Sequence, residues 1–215
     1  IDVRFDANMD NAKVKLDRTM SGYYGALIQP YYPLLDEATQ REVVEDMVKS
    51  TAEDAEFTQL EVENTEPNLS PLNAPFIIKS EFSSKALIER AGNRYLFKLG
   101  DVIGPQVEMN QEEERQNLVE NDFNRTYDRE IRFTIPDGYR VRNLDVIKIN
   151  HFLEEDGEKV FLFYSDYEQA GNTVTVKIDE YYSKITCEME DFEAFRAVVN
   201  AAADFNKITL EFEKI

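Results

Sequence analysis

Apolar and polar residues alternate along most of the chain, which is the pattern of a β-strand with one buried face. Ile1–Phe5 and Val14–Leu16 alternate in this way on either side of Asp6–Asn11, whose residues tolerate turns, so this segment predicts a hairpin. Other turns are predicted at Gly92-Asn93, Pro136-Asp137-Gly138 and Glu154–Gly157. The same alternation predicts strands at Phe57–Val62, Phe76–Phe82, Tyr95–Phe97, Ile131–Ile135, Tyr139–Val141, Val160–Tyr164, Val174–Ile178 and Ile208–Phe212.

Two segments replace the two-residue period with a helical one. In Asp36–Lys49 the apolar residues recur at three- and four-residue spacings, and either Asp36 or Thr39–Glu42 supplies the N-terminal cap. Residues 191–204 form a second helical stripe with acidic residues at its start, where the helix dipole favours them. We expect these helices to cover sheet faces through Val44, Met47 and Val48 and through Phe195, Val199 and Ala202.

These elements predict an α+β protein that is mainly antiparallel β, with sandwich-like β lobes and two amphipathic helices. The segment Gly104–Asn124 is polar, has little periodicity and includes the run Gln111–Gln116, which favours a linker. We therefore expect two lobes. The first is a β-rich lobe at residues 1–110 with a helix at about 36–50, and the second is a β-rich C-terminal lobe at residues 111–215 with a helix at about 191–204.

The amino-acid composition restricts the classes of partner that the chain is expected to bind. The 215 residues include 43 acidic and 24 basic side chains, so the net charge is −19 at pH 7. We expect no nucleic-acid partner, because a phosphate backbone needs a basic surface. No membrane span is expected either, since no apolar run reaches the roughly 20 residues that cross a bilayer. The chain begins at Ile1 rather than at Met, which we interpret as a piece processed or excised from something longer.

The single cysteine and the single histidine limit the chemistry further. Cys187 and His151 each lie in step with apolar neighbours, as residues of half-buried strands do. A reactive thiolate would need a helix N-terminus or a cationic neighbour, whereas Glu188 and Glu190 beside Cys187 are acidic. We therefore predict no catalytic, cofactor-binding or metal-binding residue and no cofactor, and we expect that the chain is not an enzyme. An enzyme in its own right would need a carboxylate-only or metal site.

The first predicted turn partly imitates a calcium-binding loop. Asp6–Asn11 and Asp17 place oxygen ligands at the first, third, fifth and twelfth positions. The segment departs from such a loop in three ways. Asn11 occupies the position at which a calcium-binding loop has glycine, and Asp17 occupies the position of the usual bidentate glutamate. Predicted strands rather than helices flank the segment. We favour the interpretation that these are ordinary acidic residues of a hairpin.

Three pairs of adjacent tyrosines offer aromatic rings for binding. Exposed rings stack on the faces of pyranose sugars, so these pairs suggest a glycan surface. Packing in the core and at sheet edges is the interpretation we favour, because adjacent aromatic residues of a strand point one inward and one outward. The pairs are Tyr23-Tyr24, Tyr31-Tyr32 and Tyr181-Tyr182.

Several segments, taken in order, resemble one protein family. They are Ser21-Gly22-Tyr23-Tyr24, Asn73-Ala74-Pro75-Phe76, Glu114-Arg115, Ile135–Val141 and the ending that runs from Phe192–Arg196 to Ala203–Lys207. Together they resemble the C-terminal region of exported transglutaminase-like proteins of Bacteroides and its relatives. That resemblance implies a signal peptide, an N-terminal β-domain, a papain-like transglutaminase core and a β-rich C-terminal region of unknown function. The catalytic Cys, His and Asp would belong to the core, which would lie before Ile1.

We accordingly expect a non-catalytic C-terminal accessory or structural module that is periplasmic, on the cell surface or secreted. The resemblance implies that its partner is its own upstream transglutaminase-like domain. The alternative is a β-module that binds a glycan or cell-wall polymer, or a protein ligand, through its tyrosine-bearing faces.

Overall fold

The computed structural model describes residues 1–66, 69–110 and 115–215. The chain divides into two compact units, Ile1–Ile88 and Glu89–Ile215. Both are built mainly from antiparallel strands with a few helices, so the predicted α+β class is confirmed. The boundary expected near residue 110 falls inside the second unit, and Gln111–Glu114 of the expected linker lie outside the described residues. None of the helices in the described ranges is both long and apolar enough to cross a bilayer.

In its described residues, the first unit contains four strands and two α-helices, and the strands lie side by side in the order β1-β2-β4-β3. A short 3₁₀ helix, Tyr32–Leu34, follows the first α-helix. The elements are β1 (Asp2–Phe5), β2 (Ala12–Met20), α1 (Gly22–Ile28), α2 (Glu37–Lys49), β3 (Glu56–Glu63) and β4 (Phe76–Ser84).

The predicted hairpin and the first predicted helix are confirmed. β1 pairs with β2 around the Asp6–Asn11 turn, and burial alternates along β2 and β4 as the sequence pattern requires. Asp36 is the cap of α2, because its Oδ1 accepts hydrogen bonds from the backbone N of Ala38 and of Thr39 at 3.1 Å each. Val44 and Val48 of α2 are buried.

The second unit holds most of the strands. The order β10-β11-β12-β8 forms one sheet, β5-β6-β14-β9 a second, and β13-β7 a short pair. The elements are β5 (Ile88–Ala91, which begins at the boundary), β6 (Arg94–Phe97), β7 (Val119–Glu120), β8 (Arg125–Thr134), β9 (Tyr139–Val141), β10 (Ile149–Glu155), β11 (Glu158–Ala170), β12 (Thr173–Tyr182), β13 (Thr186–Cys187), α3 (Phe192–Asn206) and β14 (Leu210–Lys214).

Aromatic rings form the core of the second unit. Helix α3 packs on the sheet of β10 and β11, with the Phe195 ring 5.0 Å from that of Phe161 and the Phe205 ring 6.1 Å from that of Phe163. The rings of Phe97 in β6 and Phe133 in β8 lie 5.7 Å apart and join the two larger sheets of this unit. These contacts explain the apolar stripe of residues 191–204, whose predicted helix is confirmed.

One local prediction is wrong. Tyr23-Tyr24 lie in helix α1 rather than in a strand, and Tyr31-Tyr32 lie at the start of the following 3₁₀ helix. The expectation of one ring inward and one outward in a strand therefore applies only to Tyr181-Tyr182, in β12. The sequence pattern did not predict α1 because Gly22, Gly25 and Pro30 are all poor helix formers.

The Pro136-Asp137-Gly138 segment is a turn, in which the N–H of Tyr139 donates to the carbonyl of Pro136 at 3.1 Å. The strands on its two sides do not pair with each other. Strand β8 pairs with β12, whereas β9 pairs with β14, so the turn carries the chain from one sheet to the next.

Candidate functional site

The structure does not bring Cys187 and His151 together in one sheet. His151 lies on β10 opposite Phe163, and Cys187 lies on β13 opposite Val119. Burial raises the pKa of the Cys187 thiol to about 11, and Asp191 and Glu155 add to the rise. The buried thiol donates to the carbonyl of Glu188 at 3.6 Å. At neutral pH the buried thiol is therefore protonated.

The acidic turn does not assemble a calcium loop. Asp6 Oδ1 accepts a hydrogen bond from the backbone N of Asp10 at 2.8 Å, and Met9 between them is buried. Asp17 lies on β2 opposite Lys79 of β4, well along the strand from the turn. Within the described ranges, no group of three or more His, Cys, Asp or Glu side chains is placed to hold a metal ion.

The tyrosine pairs divide between core and surface. Tyr32 is buried, with its ring 5.0 Å from that of Phe76 in an edge-to-face contact, and Tyr182 is buried beside Phe195. Tyr23 and Tyr31, by contrast, are 66% and 63% exposed. Sequence reasoning singled out these residues, but it could not tell which ring of each pair reaches the surface.

Tyr23 and Tyr31 belong to an exposed apolar surface on α1 and the 3₁₀ helix after it. Leu27 and Leu34 are 66% and 76% exposed in the same segment. No charged residue occurs between Arg18 and Asp36, although charged residues make up 31% of the chain. We call Tyr23, Leu27, Tyr31 and Leu34 the charge-free surface. Large exposed apolar patches are typical of sites where a protein meets a partner, which makes this segment the candidate site.

Buried polar contacts hold this segment in place. Gln29, at the end of α1, is fully buried, and its Nε2 donates to the carbonyls of Asn64 at 2.7 Å and of Ala74 at 2.8 Å. Gln40 of α2 donates to the carbonyls of Tyr32 and Leu35, at 3.1 Å each. The charge-free surface is thus attached to the loops on either side of it and is presented by a fixed backbone.

A glycine sets how closely α1 approaches the rest of the first unit. A Cβ at Gly25 would lie 2.7 Å from Cβ of Pro71 and 2.8 Å from the carbonyl oxygen of Met20. Only glycine permits this approach. The same glycine lowers the helical propensity of α1 in the sequence and allows the helix to pack closely in the structure. The long run of uncharged residues between Arg18 and Asp36 is the sequence feature that could have predicted this surface.

The second unit contains a buried charged cluster. Arg129 Nη1 donates to Glu180 Oε2 at 2.8 Å, and the Glu180 side chain is only 4% exposed. Burial raises the pKa of Tyr182, and a hydrogen bond with Glu180 adds to the rise. The guanidinium of Arg125 lies 4.2 Å from the ring centre of Tyr182. Since each charge here has a partner, this arrangement supports the sheet, and we assign it no chemistry.

A family model matches residues 95–212 and is described as a domain of unknown function with a solved structure, DUF3858. The chain belongs to the DUF3858 family. The DUF3858 match covers the aromatic core, helix α3 and the buried charged cluster, whereas the charge-free surface lies before it. Neither a curated protein nor a solved structure matches the chain.

Proposed function

We propose that the chain is a non-catalytic C-terminal accessory module of an exported transglutaminase-like protein. In this role it packs on, or positions, the papain-like domain that precedes it in the parent protein. The resembling segments support this proposal, and membership of DUF3858, a domain of unknown function, is compatible with it. Because the resembling proteins carry a signal peptide, we place the parent in the periplasm, on the cell surface or outside the cell.

The observation that carries the proposal is the charge-free surface. A chain with a net charge of −19 keeps most of its surface well hydrated, yet Tyr23, Leu27, Tyr31 and Leu34 remain exposed on one fixed segment. Apolar side chains held rigidly at a surface gain free energy when a partner covers them. A module whose task is to contact another domain needs a surface of this kind.

The state of Cys187 is compatible with a role outside catalysis. Its thiol is buried, and burial raises its pKa to about 11, so the side chain stabilises the core and leaves nucleophilic chemistry to the upstream domain. The cysteine, histidine and aspartate of a papain-like core would then come from residues before Ile1.

The proposal is tested by removing residues 1–215 from the parent protein. We expect the melting temperature of the transglutaminase-like domain to fall by at least about 3 °C, the shift that about 1 kcal/mol produces in a domain of this size. The control is the intact parent with Val146→Ser, a change at an exposed residue of the second unit. A truncated parent with unchanged stability and activity would contradict a supporting role.

A second candidate function is glycan binding, and it is favoured by the exposed rings of Tyr23 and Tyr31. The test is retention of the chain on cell-wall polysaccharide in affinity electrophoresis. This function requires that Tyr23→Ala and Tyr31→Ala each weaken retention, whereas Tyr181→Ala, at a half-buried ring of the second unit, does not. Equal mobility of the parent chain with and without polysaccharide would exclude it.

A further inference from the structure

We draw no further inference here: the strongest candidate, the charge-free surface on α1 and the 3₁₀ helix that follows it, is an exposed apolar face, and nothing in the described part of the chain shows what covers it.

Discussion

Gly100 lies where a 3₁₀ turn, Gly100–Ile103, meets the end of α3. A Cβ at this position would lie 2.2 Å from the carbonyl oxygen of Asn206 and 2.5 Å from that of Phe205. The Asn206 side chain also donates to the carbonyl of Gly100 at 2.8 Å, so the two segments are locked together. Both nearest atoms belong to backbone, which cannot give way as a flexible side chain can.

We therefore expect Gly100→Ala to destabilise the chain by about 2–3 kcal/mol, since overpacking displaces backbone. Gly171→Ala is the control, because that glycine has a positive φ but no atom within 4 Å of an added Cβ, so only about 1–2 kcal/mol of backbone strain applies. Urea unfolding of both variants measures the difference. A Gly100→Ala variant as stable as the control would show that the close approach does not exist.

The folded state disfavours the ionised form of the Asp101 carboxyl group. Burial raises its pKa above the ordinary 3.8, and Lys98 only partly opposes the rise. For an acid with a raised pKa, folding favours the protonated form, so the destabilisation is absent below pH 3.8 and develops as the pH rises through the folded-state pKa. We expect Asp101→Asn to raise the melting temperature at about pH 7 and to leave it unchanged at about pH 3. A variant that is less stable at neutral pH would contradict this assignment.

Cys187 should be unreactive in the native state. Its thiol is buried and its pKa is raised to about 11 by that burial, so little thiolate exists at neutral pH and reagents cannot reach it. We expect iodoacetamide at about pH 8 to label the unfolded chain at least about a hundredfold faster than the native chain. Rapid labelling of the folded chain, measured by intact mass, would reopen a nucleophilic role.

At the scale of elements, the strands were predictable because one face of each strand is more exposed to solvent than the other. Every second residue of β8 and of β12 is less exposed than its neighbours, and a two-residue period in the sequence records that difference directly. Helix α3 was predictable for the same reason, since one face packs on aromatic rings. Helix α1 was not, because distant residues hold it through Gln29 and Gly25, and local propensity opposes it.

The buried pair Arg129–Glu180 joins β8 to β12 and gives an element-scale prediction. Removing one partner leaves the other charge buried without compensation, so Arg129→Met should cost about 3–5 kcal/mol. Replacing both residues, as Arg129→Met with Glu180→Leu, should cost less than the sum of the two single changes. Urea unfolding of the two single variants and the double variant measures this coupling, and strictly additive costs would contradict the pairing.

At the scale of the whole molecule, the α+β class could be predicted from the sequence. The candidate site could be read only in part. The tyrosines were visible as pairs, but their burial depends on whether each ring meets a partner such as Phe76 across the first unit. Alternation predicted half-buried strand positions for both Cys187 and His151; Cys187 is buried on β13, whereas His151 is exposed on β10.

The measurement that bears most directly on the proposed function is the intact mass of the native protein, captured by antibody from its source cells. We expect a species whose mass is about two to three times 25.0 kDa, because each preceding domain adds of the order of 100–250 residues. That species should carry a cysteine and a histidine upstream of Ile1. A native species of 25.0 kDa would contradict the accessory role and would favour a module that binds its ligand alone.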